Sequence, residues 1–467
     1  MRQKIVGYLW VALAALATGT MLVLALPLGE QAWLAWFMLM PLLLATKEKG
    51  FLVGFLGGLL AVFWCGFLAT TGVLYHFKSF EPDPSWTYTG CGLFAFCFSI
   101  FFAIWSDRAN HKMPIWWFAA LAVCLESVLL LILPAPLAIT QYRNPLMMAV
   151  ASAVGIWGVS FFVWTVNVLC VKMPMGWIVA LVIAFSSTMS RFIKPFVPTD
   201  GMVVAISQMS EGLDKELVES HVAISVQKPV FDVWPEFSGM LFVRGEDTSR
   251  LRDLTMASSP VVTSFRDTAT PLPHNVASLF LNGVESARYA KRKLFGSETK
   301  MHTAGETAVA VPFGSDGGAV GLNICYDSCF PYVIRETAAL LNVRLIALPT
   351  IDPESRHYFI AAMHAAFTPF RAAENGVAMV RADGHFGSMI VDEKGRIVTE
   401  LHDEQKSSLG NVSGRRVWTL YQVIGDAFWY GCMVAVVWPL SLNLFKKKRL
   451  ESADLEDQPT QHNSVDQ

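Results

Sequence analysis

Cys325, Glu236 and Lys291 are the residues of this chain whose types could do chemistry together. Residues 320–324, Val-Gly-Leu-Asn-Ile, read as a buried strand that ends on Cys325, followed by a turn and a helix opened by Pro331, where a missing N–H costs nothing. A free Cys is by default a core residue, so its neighbours in chemistry must decide. In Val233-Trp234-Pro235-Glu236-Phe237, Pro235 stops a strand and presents Glu236 at a bend. Lys291 stands in Arg288-Tyr289-Ala290-Lys291-Arg292-Lys293-Leu294. Taken singly, a Glu or a Lys outside the apolar segments reads as a solvated charge. Together the three form a complete acyl-transfer set. A thiolate is the nucleophile, a carboxylate takes its proton and later returns it to a leaving group, and an ammonium lowers the thiol pKa and steadies the oxyanion, helped by the N–H just after the Cys.

The elements that must position these groups are short β-rich runs alternating with helices. Strands are predicted at 203–207, 222–226, 308–311, 320–324, 344–348, 377–381, 388–391 and 396–398, and helices at 331–341 and 356–374. The strands are apolar on both sides, which predicts sheets covered on both faces and an α/β class for this region.

The whole chain is too apolar to be only that region. Of 467 residues, 53% are apolar and 16% charged, with a mean hydropathy of +0.43, which implies part membrane and part globule. Apolar runs of spanning character lie at 5–26, 51–74, 86–105, 113–133 and 145–170, with shorter ones at 31–46 and 175–189. The first has no convincing cleavage site and is read as an uncleaved span. An eighth run at 417–444 stops at Lys446-Lys447-Lys448-Arg449. The expected organisation is therefore a membrane domain over 1–192 with about seven helices, a catalytic domain over 193–416, a last transmembrane helix over 417–445, and a basic, then disordered tail over 446–467. Arg2, Lys4, Lys47, Lys49, Arg108, Lys112, Lys172 and the 446–449 cluster fall on one side of this arrangement, which makes that side cytoplasmic and delivers the catalytic domain to the outer face. Glu126 inside the fifth run faces either a cavity or a partner, and Asn167 bridges helices.

Six of the eight cysteines sit in apolar runs, so there is no disulfide framework, and a Cys325–Cys329 bridge is not expected. The net charge of −2 and the lack of a basic stripe with interleaved aromatics exclude nucleic acid as a partner. His357 and His364 are seven apart with no third ligand at metal spacing, and no Gly-rich phosphate cradle is present, so neither metal nor cofactor is expected.

Trp234-Pro235-Glu236, then Tyr289-x-Lys291-Arg292-x-Leu294, then Ile324-Cys325-Tyr326, in that order, resemble the Glu–Lys–Cys signature of the nitrilase, or carbon–nitrogen hydrolase, superfamily. Further matches are residues 275–283, Arg371-Ala372-Ala373-Glu374-Asn375-Gly376, and 381–396 with Ser388. Seven apolar runs before such a domain and one after it are similar to its membrane branch, the bacterial apolipoprotein N-acyltransferases, as are residues 155–162, Asn167, and Tyr421 with Gly425-Asp426. The resemblance implies an αββα sandwich on a multi-pass helical membrane domain in a bacterial inner membrane, with the catalytic domain periplasmic. It implies Glu236 as general base, Lys291 as oxyanion stabiliser, Cys325 as nucleophile, the Tyr326 N–H as a second oxyanion donor, and Glu298 and Asp327 as auxiliary carboxylates. The implied reaction takes a fatty acyl chain from a phospholipid to a Cys thioester, then to the N-terminal amine of a diacylated lipoprotein. Trp234, Phe237, Met240 and Leu241 around Glu236 are candidate walls of an acyl channel, and the last three read equally as a half-buried strand.

The sequence also departs from the pattern. Asp327 replaces a usual Glu, Ile351-Asp352-Pro353-Glu354 stands where an Asn-Asp-x-Trp-Phe-Gly segment is expected, and only Leu133-Pro134-Ala135-Pro136 stands for a turn after the fifth helix. Two rival readings follow: a membrane-anchored amidase or nitrilase that uses water as acceptor, and an inactive scaffold paralogue.

Overall fold

The computed structural model describes residues 2–70, 84–109, 113–131, 135–189, 201–208, 214–241, 243, 246–269, 271–296, 298–313, 317–352, 359–401 and 406–439. The expected boundary near 193, the basic 446–449 cluster and the tail lie outside these residues. The first part is helical: α1 (Arg2–Ala25), α2 (Met40–Thr46), α3 (Phe51–Thr70), α4 (Pro84–Arg108), α5 (Ile115–Val128), α6 (Pro145–Lys172) and α7 (Gly176–Met189). A helix satisfies its own backbone donors and acceptors, which is what an apolar surrounding demands. Among the described residues, four segments are long and apolar enough to cross a membrane: Ile5–Ala25, Phe51–Ala69, Thr89–Arg108 and Pro145–Lys172. The shorter apolar helices are Ala32–Thr46, Ile115–Val128, Gly176–Met189 and, at the far end, Ala427–Pro439. The run at 31–46 is not continuous; it folds as a 3-10 turn (Ala32–Trp36) and then α2 with Pro41 in its first turn.

Buried polar side chains tie these helices together. Asn167 accepts from the Leu39 N–H at 3.0 Å and donates to the Ala35 carbonyl at 2.8 Å. Glu126 accepts from Ser160 Oγ at 2.6 Å, Trp164 Nε1 at 2.7 Å and the Leu137 N–H at 3.2 Å. It joins α5 to α6 and anchors the 3-10 turn Leu137–Gln141, a structural explanation for a carboxylate at that depth.

The globular part holds two sheets. One runs β13 (Ser407–Val412), β1 (Met202–Ser207), β2 (Asp232–Val233), β3 (Val261–Asp267), β4 (His274–Leu281), β5 (Val284–Glu285), with β6 (Tyr289–Ala290) also on β4. The other runs β12 (Ile397–Glu400), β11 (Met389–Val391), β10 (Ala378–Asp383), β9 (Val343–Thr350), β8 (Gly318–Leu322), β7 (Val309–Phe313). The sheets face each other, β1 against β10 and β3 against β9. Helices α8 (Asp214–Ser225) and α9 (Ser249–Ala257) cover the first sheet. A single turn, α10 (Glu298–Met301), precedes β7; α11 (Pro331–Ala338), α12 (Phe359–Ala365) and α13 (Phe367–Asn375) follow Cys325, with α11 and α13 on the second sheet. The chain then enters α14 (Leu420–Ile424) and α15 (Ala427–Pro439). This is the αββα sandwich beside a helical, membrane-type domain.

Several predicted elements differ. Residues 222–226 are not a strand but the end of α8, because Leu217, His221 and Ile224 repeat at helical spacing and are the residues it buries. The helix expected over 356–374 breaks at Ala366, and 356–358 lie outside the described residues. Strands β3, β4 and β13 were not anticipated; β3 and β4 bury Thr263, Ser264, Asn275 and Ser278, polar residues that hide an inward-facing pattern.

The two parts meet at a break in α6. Gly155 has φ +73°, so the Ile156 N–H leaves the helix ladder and donates to Glu374 Oε1 of α13 at 2.7 Å. A Cβ at Gly155 would stand 2.6 Å from the Tyr421 ring of α14, so only glycine fits.

Candidate active site

Glu236 follows β2. Pro235 ends that strand, the Glu236 N–H donates to the Thr350 carbonyl of the facing sheet at 3.1 Å, and Phe237 takes φ +61°. The turn buries the carboxylate between the sheets. Lys291 follows β6, whose pairing with β4 puts the Lys291 N–H 2.8 Å from the Asn275 carbonyl. Its Nζ lies 2.9 Å from Glu236 Oε1 and 2.7 Å from Glu298 Oε2, and the side chain is buried. Asn275 donates to Glu236 Oε1 at 2.6 Å and to Glu298 Oε1 at 3.4 Å, fixing the two carboxylates about the ammonium.

Cys325 comes off β8 into the 3-10 turn Cys325–Cys329, with φ +48°. A non-glycine residue there carries strain of about 1–3 kcal/mol and persists only where its surroundings over-determine it. They do: Ser328 Oγ donates to the Cys325 carbonyl at 3.0 Å, and Asp327 Oδ2 accepts from the Ile324 N–H at 2.9 Å. The result turns the thiol toward the first sheet, within hydrogen-bond reach of the Glu236 carboxylate. Thiol, carboxylate and ammonium thus arrive from two sheets into one buried spot.

Burial pushes the Cys325 thiol well above its ordinary range; the Glu236 charge raises it further, and Lys291 only partly offsets them. Burial likewise raises Glu236 against the opposing pull of Lys291. For Lys291, burial works against the ammonium but the negative charges of Cys325, Glu236 and Glu298 prevail, holding it well above the usual lysine range. Burial thus favours the thiol over the thiolate at Cys325, while Lys291 keeps its charge beside the Glu236 carboxylate. Such a carboxylate is a stronger base than an exposed one.

Behind Cys325 lies a second cluster, which spacing did not disclose. His364 of α12 sets Nε2 3.2 Å from the Cys325 carbonyl and 3.0 Å from Ser328 Oγ, and Nδ1 2.8 Å from Asp352 Oδ1. Arg381 Nη2 bonds Asp352 Oδ2 at 2.6 Å and Asp383 Oδ2 at 2.8 Å. Cys325, Asp352 and His364 place metal-ligand atom types within 4.8 Å of one another, but Arg381 and His364 already take the Asp352 oxygens. His364 is buried against the turn that carries Cys325. His357 lies outside the described residues.

Two family models match the chain. Residues 18–169 match the apolipoprotein N-acyltransferase N-terminal domain, and residues 234–413 match the carbon–nitrogen hydrolase domain. Together these matches support an apolipoprotein N-acyltransferase of the nitrilase superfamily. An apolipoprotein N-acyltransferase of Geobacter metallireducens is 24% identical, with 94% of this chain and 96% of that protein aligned. Among solved structures, an amidase from Nesterenkonia sp. is 22% identical at a TM-score of 0.41, covering 50% of this chain and 98% of that one. A cysteine-to-alanine mutant of a nitrilase-superfamily amidase from Nesterenkonia AN1 is 23% identical at 0.42, with 50% and 98% covered. The two domain matches and the Geobacter metallireducens relative support an enzyme of the acyltransferase type.

Of the residues singled out for an N-acyltransferase site, Glu236, Lys291, Cys325 and Glu298 come together. Asp327 braces the site from outside it, accepting from Tyr289 Oη at 2.7 Å and the Lys293 N–H at 2.9 Å, and so joins the lysine segment to the cysteine turn. The Tyr326 ring packs edge-on between Phe295 and Phe330. Trp234 is a correction: it is fully buried, with Nε1 2.9 Å from Asp232 Oδ2 and its ring against His221, and so cannot line a channel. Phe237 is half-buried and stacks on His302, and Met240 is exposed. Residues 238–241 form a 3-10 turn, not a strand; the Leu241 side chain lies outside what is described. All eight cysteines are free, including Cys325 and Cys329.

Proposed function

We propose that this protein transfers a fatty acyl chain from a phospholipid to the N-terminal amine of a diacylglyceryl-cysteine lipoprotein, through a thioester on Cys325. The observation that carries the reading is the buried apposition of Glu236, Lys291 and Cys325 in a chain matched by both domains of this family. Glu236 takes the thiol proton as sulfur attacks the ester carbonyl, and Lys291 with the Tyr326 N–H receives the oxyanion. Collapse expels the lysophospholipid alkoxide, which takes the proton from Glu236. The acceptor amine then attacks the thioester, gives its proton to Glu236, and releases the amide with the thiol restored.

Membrane integration fits this reading, since donor and acceptor both reside in lipid, and a thioester that must reach an amine is protected by a site shut off from water. We place the protein in a bacterial inner membrane, with residues 193–416 as a periplasmic catalytic domain and 417–445 as a returning transmembrane helix. Phe237 and the exposed Met240 beside Glu236 are the described residues best placed to greet an acyl chain.

Intact mass of the detergent-solubilised protein after incubation with phosphatidylethanolamine tests this, with Cys325→Ala as control. An acyl increment absent from the control and discharged by a diacylglyceryl-cysteine peptide is expected. Discharge by water alone would mark a lipid hydrolase, and no increment in folded protein would favour the amidase or scaffold reading.

A further inference from the structure

The proposed reaction uses the face of Cys325 that meets Glu236 and leaves the opposite face without a role. There the His364 Nδ1 meets the Asp352 carboxylate at 2.8 Å, and Nε2 meets the Cys325 carbonyl at 3.2 Å and Ser328 Oγ at 3.0 Å. The one Ser328 proton is directed at the same carbonyl, 3.0 Å away. Apart from Arg381 Nη2, a donor at the long distance of 3.5 Å from Nδ1, the partners of the ring are acceptors, an arrangement that suits a ring with hydrogen on both nitrogens, an imidazolium. Charge balance agrees: Asp352 and Asp383 are two buried carboxylates, Arg381 supplies one positive charge, and His364 supplies the other.

What this cation holds is the peptide joining Cys325 to Tyr326. That peptide is trans, so its C=O and N–H point to opposite sides, and a donor fixed on the oxygen fixes the direction of the N–H. A cationic donor on the oxygen also polarises the amide and strengthens its N–H as a donor. The restraint is needed because Cys325 sits in the left-handed region, which its surroundings must impose.

We propose that His364, backed by Asp352 and Arg381, is the positioning residue of the oxyanion hole: it aims and polarises the Tyr326 N–H through the Cys325 carbonyl. This rests on the acyl-transfer reading above for the N–H having an oxyanion to meet. The assignment differs from a Cys–His nucleophile pair, because His364 touches the backbone oxygen of Cys325 and takes no proton from its sulfur.

The test separates oxyanion stabilisation from thiol reactivity. Full-length protein in detergent is acylated with p-nitrophenyl butyrate, which develops an oxyanion, and alkylated with iodoacetamide, which does not; modification at Cys325 is followed by peptide mass. His364→Leu is expected to slow acylation about a hundredfold, the usual cost of one oxyanion donor, while alkylation is unchanged. His364→Gln keeps a neutral donor and should lose less. Equal acylation in wild type and variants, or acylation and alkylation falling together, overturns the proposal. If the Leu variant does not fold, Asp352→Asn, which leaves Arg381 paired to Asp383, is read in the same way. Wild-type protein that accepts the butyryl group but none from phospholipid defeats the donor assignment while leaving this test intact. Wild-type protein that is alkylated and never acylated defeats both.

Discussion

The two flanks of Cys325 are built on opposite plans. On the Glu236 flank, two carboxylates share a single ammonium, so negative charge is in excess beside the thiol. On the His364 flank, two carboxylates meet two cations and nearly every polar valence is spoken for. Burial is similar on both flanks, so the difference is one of charge balance. An unbalanced buried cluster keeps a proton mobile and a base strong, whereas a balanced one holds geometry. Cys325 sits at the seam, its sulfur facing the unbalanced cluster and its carbonyl the balanced one.

That contrast can be broken from either side. Glu236→Gln should have the largest effect, lowering the rate of thioester formation about a thousandfold in single-turnover intact-mass assays while thermal stability holds. Because burial raises Glu236, the acid limb of the acylation rate should lie above the ordinary carboxylate pKa of about 4.3, with activity lost as pH falls through it. A limb at the ordinary value would mean that this carboxylate is not the base.

On the other flank the expected signature is stability. Burial opposes charge on His364, but Asp352 and Cys329 prevail and raise it from 6.5 to about 10. A raised folded-state pKa contributes stability that is complete below about pH 6.5 and is lost as pH climbs through about 10. The titratable and charged groups at the ring are Asp352, Arg381, Cys325 and Cys329, with Asp383 paired to Arg381 behind them. Urea melts between pH 6 and 10 should therefore show a decline that Asp352→Asn flattens; an unchanged slope would mean that the ring is neutral in the folded protein.

Asp327→Asn should cost about 2 kcal/mol, since an amide cannot accept as Asp327 does from Tyr289, Ile324 and Lys293. Loss of acylation with no loss of stability would instead give Asp327 a part in the chemistry. The smallest effect is expected at the joint between the domains, where Gly155→Ala should cost about 1–2 kcal/mol through its positive φ and the Tyr421 ring, measured as a shift in melting temperature.

Much of this was legible from residue order. Pro235 ends a strand by its chemistry alone, and the apolar strand of 318–322 has to end somewhere that exposes Cys325 to a turn. Other parts were hidden for identifiable reasons. Strands β3 and β4 carry Thr263, Ser264, Asn275 and Ser278 inward, where Asn275 orients Glu236 and Ser264 accepts from the Phe237 N–H at 2.7 Å. Polar residues that serve a buried site erase the apolar signal by which a strand is recognised. Trp234 misled in the other direction, since an aromatic beside a base suggests a substrate wall, and only packing against His221 puts it in the core.

Local chemistry by itself thus determined the apolar segments, the α/β character between them and the three reactive residue types, because hydropathy, periodicity and backbone restriction act over a few neighbouring residues. Only the tertiary structure decided that Asp352, His364 and Arg381 stand behind Cys325. They come from the end of β9, from α12 and from β10, and sequence distance carries no information about which buried charges must balance once two sheets close on each other.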